Sequence, residues 1–352
     1  MKKVSIKDQR GLSLIEFMIA GLIGLILTVG LIQIFVSNRQ AFDTTAASAN
    51  VQETARIGTE IISKAVRNAD YWGCVDNASV FNNLDDTAAG YDADILGFGS
   101  GLEGEDNNAD SSDAIADGTD SITVRGTRGS NGIQIDSPMP NSSAILDVTD
   151  AGALAVSDII LISNCRGGDI FQVTQLPSGG DKIQHNTGGS VSPGNGKNSG
   201  PCAGGGGGSN CLSQLYDTGA SVLLPYTETY FVGTGASGGP ALFMRTGVLS
   251  SPSGTGIGNV QTVELIDGVE NMQILYGEDT NGDGAANAYR TAAAVADMED
   301  VVSVRISLLI RSSQERVLDS AQTLTFNGAA VDGSDLRLRR VYTLTSTIRN
   351  RM

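Results

Sequence analysis

The chain has 352 residues and a formal net charge of −16, with 18% charged residues and 45 glycines. That acidity argues against a general nucleic-acid surface, which needs Lys and Arg clustered on phosphate. The single histidine, His185, excludes a His-based triad and a multi-His metal centre.

The first predicted element runs from Leu12 to Val36 and carries one charge, Glu16. As a helix it would reach about 37 Å, enough to cross a hydrocarbon layer of roughly 30 Å. A carboxylate facing lipid alone costs on the order of 3 kcal/mol, so Glu16 calls for a partner. Ahead of this run lie Lys2, Lys3, Lys7 and Arg10, then Gly11, then Leu12-Ser13-Leu14-Ile15-Glu16-Phe17. In a secretory signal the small residue of the cleavage site follows the apolar core; here Gly11 precedes it. The arrangement resembles the class III signal of type IV prepilins.

The resemblance implies that a prepilin peptidase cuts between Gly11 and Leu12 and that Leu12 becomes the N-methylated terminus. Loss of residues 1–11 leaves a mature charge of about −19. The Glu16 carboxylate of one subunit could then neutralise the terminal amine of a neighbour. An ordinary signal anchor with a stray glutamate is the competing reading.

From residue 37 to residue 70 there is no proline, and Val51, Ala55, Gly58, Ile62, Val66 and Ala69 recur at helical spacing. One continuous helix is therefore expected to about residue 69, apolar in its first half and amphipathic over 37–70. Many pilins have a proline in the first half. Here Gly21, Gly24 and Gly30 are the only residues that would weaken it.

The helix is expected to end at Asn68-Ala69-Asp70-Tyr71-Trp72-Gly73-Cys74, with Trp72 as a core plug. The Tyr-Trp-Gly-Cys run resembles the PilW family of minor pilins, and the C-terminal half, with its basic tail Ile348-Arg-Asn-Arg351, does so more loosely. Residues 76–118 read as an acidic surface excursion with Leu84, Ile95, Leu96 and Phe98 as isolated apolar residues.

From Asp120 the period becomes two. Strands are expected over 121–125, 158–163 and 170–174, the latter two joined by a turn at Asn164 to Gly168. Residues 177–219 read as a long Gly/Ser/Asn loop containing the pentaglycine Gly204 to Gly208. Further strands are expected over 220–232, 241–246, 261–276, 301–311, 321–327 and 336–348. Arg337, Arg339 and Arg340 read as a solvated strand face. Residues 71–352 are expected to form a β-rich domain, with two subdomains as an alternative, so the fold class is α+β: a long pilin helix packed on an antiparallel sheet domain.

Cys74, Cys165, Cys202 and Cys211 form an even set suited to disulfides in an oxidising compartment. Four cysteines allow three pairings. Cys202 with Cys211, closing a tight loop, and Cys74 with Cys165 are favoured.

No nucleophile elbow, phosphate loop or Cys-x-x-Cys is present, so no enzymatic activity is expected and no cofactor is required. Asp279, Asn281, Asp283, Ala285 and Asn287, with Gly284 at the sixth position, match the first nine places of a calcium loop. Position 12 is Arg290 rather than Glu, so a bidentate ligand would have to come from Asp297, Glu299 or Asp300. A solvated turn is the alternative.

The resemblance implies a minor pilin held in the inner membrane by a single pass, with its N-terminus cytoplasmic. After processing it would enter the surface pilus at the tip, beside other minor pilins and the major pilin. There it would prime assembly and support twitching motility, adhesion or DNA uptake, without a direct nucleic-acid site. The J-type pseudopilin of type II secretion is the nearest alternative. A signal-anchored periplasmic binding protein or enzyme is the more distant one.

Overall fold

The structure is a computed structural model of the chain; it describes residues 13–75, 79–108, 114–143, 145–187, 191–196, 202, 211–248 and 258–351. Gly11, Leu12 and the pentaglycine lie outside the described residues.

Helix α1 spans Leu14–Asn68 without interruption, about 83 Å at 1.5 Å per residue. Three glycines do not break it. Gly21, Gly24 and Gly30 face open space, and the Thr28 hydroxyl donates to the Gly24 carbonyl at 2.7 Å, so this hydroxyl is met within the helix.

The strands, in chain order, are Val80–Asn82 (β1), Leu102–Glu105 (β2), Ser121–Gln134 (β3), Leu146–Asp147 (β4), Ile159–Asn164 (β5), Gly167–Gln172 (β6), Lys182–Ile183 (β7) and Ser221–Thr234 (β8). They continue as Pro240–Val248 (β9), Gly258–Asp267 (β10), Val269–Glu278 (β11), Ala288–Arg290 (β12), Val301–Arg311 (β13), Thr325–Phe326 (β14), Ala329–Ala330 (β15) and Arg339–Thr347 (β16). A short helix, α2, spans Ala93–Leu96.

The larger sheet is organised by β8. One edge of β8 pairs with β3 along its length. The other edge pairs with β5 over 221–223 and with β9 over 227–234. Pro225, which has no N–H to give, falls in the gap where that edge changes partner. Beyond β5 lie β6 and β1, beyond β9 lies β10, and β2 borders β3. The smaller sheet is β12-β11-β13-β16, antiparallel throughout.

Packing follows the sequence stripe. Val51, Ala55, Ile62 and Val66 are buried with Leu242 of β9, Met272 and Ile274 of β11, and Val304, Ile306 and Leu308 of β13. A Cβ at Gly58 would lie 3.4 Å from Leu308, in ordinary contact, so helix and sheet meet closely at this position. Glu53, Arg56, Glu60 and Lys64 are exposed.

Four expectations are corrected. Residues 84–98 are not a surface excursion: Leu84, Ile95, Leu96 and Phe98 are buried in one cluster with Trp72 and Leu161. Trp72 and Phe98 meet edge-on at 6.3 Å, and Gly247 leaves room for Ile95, since a Cβ there would come within 2.4 Å of it. Residues that looked isolated in sequence are gathered by long-range packing.

The expected strand over 261–276 is two strands in two different sheets, broken at Gly268, whose φ of +86° turns the chain between β10 and β11. The expected strand over 321–327 is irregular apart from the β14–β15 pair.

Arg339 does not lie on a solvated face. It is buried and makes bidentate bonds to Glu270 (2.7 and 3.0 Å) and Asp335 (2.6 and 2.8 Å). Those bonds hold the Asp335 carboxyl down at about 2. Arg337 donates to the Ser312 carbonyl at 2.8 Å and to Glu315 at 3.0 Å, fastening the excursion between β13 and β16. Arg340 is exposed, as read.

Within 177–219, β7 pairs with β4, and Asn195 exchanges hydrogen bonds with the Gln172 main chain at 2.7 and 2.8 Å. His185 is buried with its ring 5.3 Å from that of Phe171. Cys74 is bonded to Cys165 and Cys202 to Cys211. The first bond ties the chain leaving α1 to the β5–β6 turn.

Candidate functional site: the free half of the helix and its anchorage

Ser13 caps α1 in a reciprocal box. Its hydroxyl oxygen accepts from the Glu16 N–H at 3.3 Å, and its own N–H donates to the Glu16 carboxylate at 2.9 Å. Glu16 therefore has hydrogen-bond partners on its own chain but no ion pair among the described residues. Around and above it, Leu14, Ile15, Phe17, Met18, Leu22, Ile26, Leu31 and Phe35 are all exposed. No residue of the most apolar stretch is buried, and this is the one helix long and apolar enough to cross a membrane among the described residues. A face of that size on a folded chain needs lipid or other protein around it.

The contact with the domain begins at residue 40. Gln40 donates to Asp319, and the Thr44 hydroxyl reaches the Val317 carbonyl at 3.4 Å. Both acceptors belong to the excursion fastened by Arg337. At the far end, the Ser346 hydroxyl donates to the Ser63 carbonyl at 3.2 Å and Tyr226 to the Asn68 carbonyl at 3.3 Å.

Asp70 is the hub of this junction. It has a φ of +62° and is buried. Its N–H donates to the Arg125 carbonyl at 2.8 Å, and its carboxylate accepts from Trp72 Nε1 at 2.6 Å and Arg351 Nε at 2.5 Å. Asn350 adds a bond to the Ala69 carbonyl at 2.7 Å. A Cβ at Gly101 would strike the Asp70 side chain, so that position must be open. The end of the helix is thus locked by the second-last residue of the chain. In sequence the tail Ile348-Arg-Asn-Arg351 is merely basic, and nothing local signals that Arg351 returns to Asp70.

The loop from Asp279 to Asn287 closes on itself. Asp279 accepts from the N–H groups of Asn281 (3.2 Å), Gly282 (2.7 Å), Asp283 (3.2 Å) and Gly284 (2.6 Å). Asn281 and Asp283 touch at 3.1 Å, and Asn287 accepts from the Thr280 N–H at 2.8 Å. The loop brings these side chains together. Arg290, at the position where a bidentate Glu would stand, instead pairs with Glu278 at 2.7 Å. Asp297 accepts from the Glu299 N–H at 2.9 Å. Among the described residues no three His, Cys, Asp or Glu side chains are grouped to hold a metal.

A family model described as Type IV Pilus-assembly protein W matches residues 229–350. No curated protein and no solved structure matches the chain. The matched span runs from the end of β8 through the smaller sheet, the part of the domain that grips α1. Over that third of its length, the part that holds the free apolar half-helix, the chain is similar to the PilW family, and the match supports a role in type IV pilus assembly.

Proposed function

We propose that this chain is a minor pilin that enters the pilus at its tip and primes assembly with other minor pilins. The observation that carries the reading is the single helix that is bare over 14–36 and seated on the matched domain from residue 40 to residue 68. Before assembly the bare half spans the inner membrane, with the N-terminus cytoplasmic. After prepilin peptidase cuts between Gly11 and Leu12 and methylates Leu12, the bare half packs among neighbouring helices. Glu16 then exchanges its hydrogen bond to Ser13 for the amine of an adjoining subunit.

The bulk of the domain, with about 280 residues beyond the helix, suits the end of a fibre better than its close-packed shaft. In this reading the chain has no catalytic task. It supports twitching motility, adhesion or DNA uptake through the filament. N-terminal sequencing of the protein from pili tests the processing: methylated Leu12 is expected, and a start elsewhere overturns the pilin reading.

A further inference from the structure

A cleft of about 740 Å³ opens between the last two turns of α1 and the strands β3 and β8. Lys64 and Arg67 line it from the helix, Arg128 from β3, and Arg349 from the C-terminal end. Against these four cations stands one carboxylate, Glu228, already bonded to Arg128 and to the Tyr230 hydroxyl. Lys64 and Arg349 make no ion pair or side-chain hydrogen bond among the described residues. In a chain of net charge −16 this is a local reversal of sign.

The cleft also offers flat apolar surface. The Arg128 guanidinium lies 4.5 Å from the Tyr226 ring centroid, and Tyr71, 43% exposed, stands at the rim. The Tyr71 main chain is fixed by two bonds of 2.8 Å from the Thr127 N–H and hydroxyl to its carbonyl. The rim is therefore preorganised, which lowers the ordering cost of binding.

We propose that this cleft binds an acidic polypeptide segment, with carboxylates on Lys64, Arg67 and Arg349 and an apolar side chain against Tyr71 and Tyr226. A lipid headgroup does not fit the position: Lys64 lies about 42 Å along the helix from Val36. A long nucleic acid is opposed by the net charge of the whole chain, whereas a short segment needs only local complementarity. That the segment belongs to a subunit packed beside α1 rests on the assembly role proposed above.

The test uses the full chain in detergent and a short fluorescein-labelled Glu/Asp-rich peptide containing one Phe, followed by anisotropy. Binding is expected to weaken about tenfold or more in Lys64→Glu/Arg349→Glu and to fall with added salt. Lys182→Glu, outside the cleft, is expected to change nothing. Absence of peptide binding, binding unchanged in the double variant, or displacement of the peptide by oligothymidine of equal charge overturns the proposal. Filament incorporation is scored separately. Peptide binding without incorporation sinks the assembly role and keeps the cleft; incorporation without peptide binding does the reverse.

Discussion

The two halves of α1 share one backbone conformation and differ in almost everything else. Over 14–36 the side chains are exposed and, apart from Glu16, Thr28 and Gln33, apolar or small all round; over 47–66 only a stripe of Ala47, Val51, Thr54, Ala55, Gly58, Ile62, Ala65 and Val66 is buried, with Ile57 and Ile61 half-buried beside it, and most of the remainder is polar. A stripe is what a helix shows when it has one partner, and an apolar circumference is what it shows when it is surrounded. The domain accounts for the first pattern and leaves the second unanswered. The difference therefore locates the unfilled contact of the molecule.

The largest effect on this contrast is expected from the lock at the end of the helix. Arg351→Leu leaves the buried Asp70 carboxylate without its cation and should cost about 3–5 kcal/mol, measured by denaturant unfolding of the full chain in detergent. An unchanged midpoint would mean the junction is held by packing alone. A paired substitution then separates the halves directly. Ile62→Ala, fully buried against the sheet, should cost about 2–5 kcal/mol. Ile26→Ala, 61% exposed, should stay within about 0.5 kcal/mol. Equal effects would erase the distinction.

The smallest effect concerns the loop at Asp279. If calcium joins Asp279, Asn281 and Asp283, millimolar calcium should raise the melting temperature by a few degrees in the native chain and not in Asp279→Ala. No shift in either leaves the loop a self-bonded turn.

Much of the helix was legible in the sequence because its signals are local. Val51, Ala55, Gly58, Ile62, Val66 and Ala69 were read as one face from spacing alone, and all are buried. The run Val301–Arg311 likewise marks a strand, but burial alternates only over 304–308 and both faces are covered towards its ends, which the alternation did not foretell. What could not be read depends on contacts between distant residues. Gly268 turns the chain from one sheet into the other within a run whose apolar pattern continues on both sides. Arg339 looks like a surface cation until Glu270 and Asp335 are brought to it. Leu84, Ile95, Leu96 and Phe98 carry no period, and only Trp72 and Leu161 make them a core. The anchorage of the helix was invisible for the same reason, since Asp70 and Arg351 are joined across nearly the whole length of the domain.

The central claim is that the bare half of α1 is an assembly surface with Glu16 as its charged contact. Replacing Glu16 with Leu while confirming normal folding and cleavage, and then counting the protein in purified pili, tests it most directly. The account predicts that the variant reaches the membrane but is depleted from filaments by about tenfold or more. Incorporation at the native level would contradict it.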